Sequence, residues 1–211
     1  LKFKLWLDEI DYFGNSGKIN LYGTFVDRPA FVDMDNDGDL DILTFNVTAN
    51  RILLYENQRV EKSLGCDTLV YILNDNCWGN IFESGLSPVV DMRDTCTYKI
   101  YNGKYSETQK KRHSGSTLEA FDIQGRGVMD VLMGDVSLSL VNHMKNVGDR
   151  NYASILDQDT SYPIYNIPAK VTSFPVTTFI DVDHDGKKDL IVSPFEGLGV
   201  DNFENVLLYK N

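Results

Sequence analysis

The sequence predicts an all-β chain, and three observations carry that prediction. Short runs rich in β-branched and aromatic residues recur through its 211 residues, punctuated by Gly, Asn, Asp and Ser, with no long segment of helical periodicity. Two acidic strings built around one glycine, FVDMDNDGDLDIL (Phe31 to Leu43) and FIDVDHDGKKDLIV (Phe179 to Val192), each run directly into an apolar strand. Behind them come strand-like runs that end in asparagine: ILLYEN at Ile52 to Asn57 and VLLYKN at Val206 to Asn211.

Taken in order, residues 1–26 alternate in KFKLWL and KINLYGTFV and are expected to be strands. The first acidic string follows, and then the strand ending at Asn57. A weaker copy of the same unit lies at Phe121 to Leu132 (FDIQGRGVMDVL), which aligns when Gly127 is set on Gly38 and Gly186, and LVNHMKN (Leu140 to Asn146) supplies its asparagine-ended strand. From first aspartate to asparagine is 24 residues in the first two copies and 30 in the last, where the polar stretch Glu196 to Asn205 accounts for the surplus. The repeated unit reads as loop, strand, turn, strand. Repeats fall near 31–57, 120–146 and 179–211 within a single domain, 1–211.

First aspartates are separated by 89 residues (Asp33 to Asp122) and by 59 (Asp122 to Asp181), so the first interval carries an insertion within 60–116. Its strand-like pieces, Thr68 to Leu73 and Thr97 to Tyr101, suggest a hairpin or an enlarged sheet edge. Cys66, Cys77 and Cys96 all lie there, which in an oxidising compartment favours one disulfide and one leftover thiol. Sequence does not settle the connectivity; Cys77 with Cys96 is preferred because that pair would brace the loop Trp78 to Pro88. A zinc site is disfavoured by the absence of CxxC spacing and of histidine in the segment.

The acidic strings have the chemistry of divalent-cation loops. Hard cations take six to eight oxygen ligands at about 2.3 to 2.6 Å, and alternating aspartates in a tight loop converge on one point. Gly38 and Gly186 stand after the third aspartate, where the chain must turn sharply. Without a cation the aspartates would repel one another. An EF-hand also begins this way, but it needs a bidentate Glu at the twelfth position and a following helix. Here the twelfth residues are Thr44 and Val192, and β-branched and aromatic strands follow.

This DxDxDGxxD spacing followed by an apolar strand resembles the FG-GAP or VCBS repeats of integrin α-subunit propellers and of many secreted bacterial proteins. In that family the first, third, fifth and ninth positions give side-chain oxygens and the seventh gives a carbonyl. The resemblance therefore implies calcium at two sites: Asp33, Asp35, Asp37, Asp39 (main chain) and Asp41; and Asp181, Asp183, Asp185, Lys187 (main chain) and Asp189. In the weaker copy Asp122 and Asp130 keep the first and ninth places, but Gln124 and Arg126 replace the third and fifth aspartates, so no calcium is expected. Arg126 is placed either to pair with Asp122 or Asp130 or to point into water. Three repeats do not close a propeller, so the fold expected is a partial one, about three to four blades of a seven- or eight-bladed wheel. Residues 1–26 are then the end of a preceding blade.

The text of the second and third copies, with NDNCWGNIFESG in the insertion, is similar to large VCBS-repeat proteins exported by the type IX secretion pathway of Bacteroidota. That likeness implies a secreted or cell-surface protein, of which this chain, beginning at Leu1 without a start methionine, reads as an internal piece. The net charge of −11 disfavours nucleic-acid partners, and no apolar run approaches the roughly 18 residues of a membrane span. The only basic run, Lys110, Lys111 and Arg112, reads as a solvated turn.

The leading expectation is a non-catalytic, calcium-stabilised module for adhesion, carbohydrate or protein binding, its partner an extracellular glycan or protein. The alternatives are the scaffold of a polysaccharide-active enzyme, or a cargo or partner of the secretion translocon. His113 with Ser114 and Ser116 is the sole constellation resembling nucleophile plus base, and a hydrogen-bonded turn explains it more simply. His184 falls in an acidic loop and should face solvent, while His143 falls in a strand where packing is its default role. Trp78, Phe82, Tyr101 and Tyr105 could form a sugar-stacking face, but such a set is more often local core.

Overall fold

A computed structural model describes residues 2–14, 17–24, 26–83, 87–93, 96, 100–101, 104–105, 115–195, 203 and 205–211. The chain is all-β and built of several small open sheets. Strands β1 (Asp11–Gly14), β2 (Gly17–Asn20), β3 (Ala30–Val32), β4 (Asp41–Phe45), β5 (Ile52–Asn57) and β6 (Tyr71–Asp75) form the first sheet in the order β2-β1-β6-β5-β4-β3. Within it β3 to β6 are a plain antiparallel meander. A 3-10 turn (Trp78–Asn80) then leads to two small hairpins, β7 (Ile81–Phe82) with β8 (Asp91–Met92) and β9 (Ile100–Tyr101) with β10 (Lys104–Tyr105). A second meander follows, β11 (Ser116–Phe121), β12 (Asp130–Asp135), β13 (Asn142–Asn146) and β14 (Ile155–Asp159). The third has β15 (Pro175–Ile180), β16 (Asp189–Pro194) and β17 (Leu207–Tyr209).

The sheets stack face against face, which explains why β4 and β12 are buried throughout instead of alternating. In β12, Val131 and Met133 point into a core shared with Leu43, Phe45, Ile52 and Leu54 of the first sheet, whereas Leu132 points the other way, toward Leu190 and Val192 of the third. Both faces are dry, so every residue of β12 is buried. The first strands of successive sheets lie side by side. Arg28, just before β3, exchanges backbone hydrogen bonds with β11 (Arg28 N–H to the Ser116 carbonyl and Leu118 N–H to the Arg28 carbonyl, both 2.9 Å), and the Thr117 hydroxyl donates to the Pro175 carbonyl at 2.7 Å. Gly134 permits that second approach: a Cβ there would come within 1.8 Å of the Pro175 carbonyl oxygen.

Two expectations change here. Residues 11–20 do not end a separate blade; β1 adds parallel to β6, the outer edge of the first sheet. The reason is burial, since Ile10, Tyr12 and Leu21 cover Ile42, Tyr55 and Tyr71 on the face that β4 and β5 would otherwise leave wet. The meanders also hold a fourth strand (β6, β14) that the loop-strand-turn-strand reading lacked. Tyr71–Asp75 therefore belongs to the first sheet, and the insertion proper is a wedge. Trp78, Ile81 and Val90 drive it into the core between the first and second sheets, so Trp78 is buried and unavailable for stacking on a sugar. Cys77 and Cys96 are joined with Cα atoms 6.0 Å apart, and Cys66 is free and exposed. The preferred pairing holds, and it fastens the wedge to the chain that returns beside it.

Candidate metal centre

The three loops follow one backbone path although their side chains differ. The fourth position is left-handed in each, at Asn36 (φ 62°), Gly125 (φ 64°) and His184 (φ 62°), and the sixth is left-handed at Gly38, Gly127 and Gly186. The first-position carboxylate builds the turn by accepting the N–H groups of the fifth and sixth residues. Asp33 accepts Asp37 and Gly38 at 3.0 Å each, Asp122 accepts Arg126 and Gly127, and Asp181 accepts Asp185 at 3.1 Å and Gly186 at 3.0 Å. These are Asx-type turns, and they hold the loop open-mouthed before any ion arrives.

The ninth-position aspartates have a second role: Asp189 groups with Asp181 and Asp183, Asp41 lines the hollow beside Asp35 and Glu56, and all three ninth-position carboxylates also hold the backbone. Asp41, Asp130 and Asp189 are almost fully buried and bolt the loop to the end of the neighbouring strand of their own sheet. In each, one oxygen accepts the N–H of the landmark asparagine, at 2.9 Å from Asn57, 2.8 Å from Asn146 and 2.9 Å from Asn211. The other oxygen accepts the Met34 N–H (2.8 Å) or the Val182 N–H (3.1 Å) in the two acidic loops. The asparagine landmark in the sequence is therefore the other half of this bolt. Burial pushes the Asp41 carboxyl up to about 7, against the downward pull of the Asn57 and Met34 N–H groups.

The remaining carboxylates of the first loop converge. Oxygens of Asp33, Asp35 and Asp37 lie within 4.8 Å of one another. Two residues outside the motif join them: Glu56, next to the end of β5, groups with Asp35, and Glu61, in the turn beyond, groups with both Asp35 and the pair Asp37 and Asp39. The sequence signal for them is position alone, since Glu56 immediately precedes the landmark asparagine. Asp39 sends its side chain inward. Its Oδ2 accepts the Val60 N–H at 3.1 Å and lies 3.7 Å from the Arg59 guanidinium, while Oδ1 is buried without a partner, as is Asp37 Oδ2. Burial, and then the neighbouring Asp37 and Asp33 charges, raise the Asp35 carboxyl above its ordinary value. Crowded carboxylates with orphaned buried oxygens fit a hard divalent cation, whose charge would reverse these shifts and satisfy those atoms.

In the second acidic loop it is the first, third and ninth carboxylates, Asp181, Asp183 and Asp189, that group. Lys210 stands where Glu56 stands in the first, and its ammonium pairs directly with Asp183. That contact holds the Asp183 carboxyl below the usual carboxylate range. Lys187 at the seventh position and His184 at the fourth are exposed.

In the degenerate loop internal polar partners surround the ninth carboxylate. Asp130 Oδ2 takes the Gln124 amide and the His143 Nε2, each at 3.1 Å. Burial works to raise this carboxyl, but His143, the Asn146 N–H and Gln124 outweigh it and hold it below its ordinary value. Arg126 pairs with neither Asp122 nor Asp130. Its guanidinium reaches the Asn146 carbonyl at the end of β13, because Gln124 and His143 already surround Asp130.

His113, Ser114 and the basic run Lys110, Lys111 and Arg112 lie outside the described residues. Ser116, the third member of the weak catalytic constellation, is buried in β11. An aromatic cleft that the sequence did not mark lies between the second and third sheets. It has a volume of about 350 Å³ and is lined by Phe121, Phe179, Tyr162, Tyr165, Tyr209 and Lys188. The Phe121 and Phe179 rings stack with centroids 4.3 Å apart, with the Lys188 ammonium 5.6 Å from the Phe121 centroid. No protein-family model matches the chain, and no curated protein matches it.

Proposed function

We propose that this chain is part of a calcium-stabilised β-propeller of the FG-GAP or VCBS type, a non-catalytic module of a secreted or cell-surface protein that binds an extracellular glycan or protein. The observation that carries the reading is the first loop, where buried oxygens of Asp37 and Asp39 have no partner inside a cluster of six carboxylates. Successive antiparallel meanders with their first strands side by side support the propeller reading. The disulfide suits an oxidising compartment. No helix among the described residues is long and apolar enough to cross a membrane. The cleft of stacked aromatic rings offers a face on which a sugar or an aromatic side chain can lie.

Calcium that binds the folded loops and not the unfolded chain stabilises by mass action, about 2.7 kcal/mol per site at a hundred times Kd. Calorimetric titration of the chain tests this directly. Two calcium ions per chain are expected at saturation, one fewer in Asp37→Ala, with a melting temperature that rises with calcium in the parent. No uptake at millimolar calcium would overturn the reading.

A further inference from the structure

The residue just before the landmark asparagine is acidic in the first loop and basic in the other two. It is Glu56 in the first sheet, Lys145 in the second and Lys210 in the third. This is the strand position that faces the third loop residue, as the grouping of Glu56 with Asp35 and the ion pair of Lys210 with Asp183 both demonstrate. We propose that this one position sets the cation affinity of each loop. Glu56, with Glu61, completes a tight site in the first loop, and Lys210 occupies the second as a tethered cation that must leave Asp183 before a divalent ion can enter. The proposal rests on the calcium reading above and adds ligands and a competitor that the loop motif does not contain.

The charges around each loop agree. In the first, Arg59 sits by Asp39 Oδ2, leaving the inward Oδ1 without a partner. Arg150 lines the hollow beside Asp35, Glu56 and Glu61, but its Nε is committed to the Gly127 carbonyl at 3.2 Å. In the second loop, no glutamate answers Glu61 among the described residues grouped there; Lys187 and Lys188 are exposed, and the ammonium of Lys210 is already on a ligand. Lys210 also helps to form the wall of the aromatic cleft, so a calcium ion that displaces it from Asp183 frees its charge beside the cleft. Occupation of the second loop is thereby coupled to the charge of the cleft.

Calorimetry with calcium chloride on the whole chain reads two affinities. The first loop is expected to bind at least about tenfold more tightly than the second, the factor that one opposed unit charge near a divalent ion yields at a solvated site. Lys210→Gln and Lys210→Glu should tighten the weak site progressively, and Glu56→Lys should weaken the strong one by a similar factor. Lys188→Gln removes the same charge nearby without touching Asp183, and should have a distinctly smaller effect. Assignment of the weak site comes from Asp181→Ala, which should abolish it alone. Equal affinities unmoved by Lys210 variants, or a Lys188→Gln effect as large as that of Lys210→Gln, would overturn the proposal and leave the calcium reading standing. Absence of any calcium heat in the parent would instead defeat the calcium reading itself.

Discussion

Replacing Asp130 by alanine separates two roles that the loop motif runs together. If the ninth aspartate is a bolt and not chiefly a calcium ligand, its loss should be as damaging in the degenerate loop as in the acidic ones. Asp130 is fully buried, and its removal orphans the Asn146 N–H together with the Gln124 amide and the His143 ring nitrogen that meet its other oxygen. A buried backbone donor left unsatisfied costs about 1 to 3 kcal/mol, and each hydrogen bond to a charged group contributes about 1.5 to 3 kcal/mol net. These terms overlap because Gln124 is exposed and His143 half-buried, so both can turn to water, and about 3 to 4 kcal/mol is expected. For a chain of this size that corresponds to a fall in melting temperature of very roughly 6 to 16 °C. Asp130→Asn keeps the oxygen that accepts the Asn146 N–H, lets the Gln124 amide turn over, and should cost about 1 kcal/mol. Urea unfolding followed by circular dichroism, with calcium and then with chelator, is the assay. The loss should be the same in both conditions. A cost below about 1 kcal/mol for the alanine variant, or one that disappears when calcium is chelated, would refute the bolt.

Further outcomes are expected elsewhere in the fold. Gly134→Ala must part β12 from the start of β15, and since the obstructing atom is a backbone carbonyl oxygen it should destabilise by at least the 1 to 3 kcal/mol of ordinary overpacking, measurable by urea unfolding. The depressed Asp130 carboxyl stabilises the fold above its unfolded value near pH 4, and that contribution is lost as pH falls through the lower folded value. His143→Ala should therefore move acid unfolding, followed by fluorescence, to higher pH. Converting both Gln124 and Arg126 to Asp restores the acidic motif on a backbone already in the right conformation, and a third calcium ion should appear by calorimetry. An unchanged stoichiometry would show that Lys145, or the lack of a carboxylate there, prevents binding.

Much of this molecule could be read before any coordinates. Alternating aspartates with a glycine specify a tight turn that gathers oxygens, and β-branched runs on either side specify strands, because both are properties of a few neighbouring residues. The asparagine landmarks were visible as well, though only as a spacing. Their partner, the buried ninth aspartate, became evident once Asp41 met Asn57, Asp130 met Asn146 and Asp189 met Asn211 across the sheet. Cys77 with Cys96 was legible as a preference because the loop between them needed bracing.

What sequence determined by itself was local: the class of the fold, the place of each turn, the acidic character of two loops and its loss in a third. Tertiary structure decided whatever depends on residues distant in the chain. It moved the hairpin of residues 11–20 onto the edge of the first sheet, because Tyr55 and Tyr71 needed cover there. It turned the insertion into a core wedge, and it brought Glu56 to one loop and Lys210 to the other. Periodicity reports which face of a strand is dry, whereas the partner that dries it, or the charge that faces a ligand, is fixed only when sheets pack.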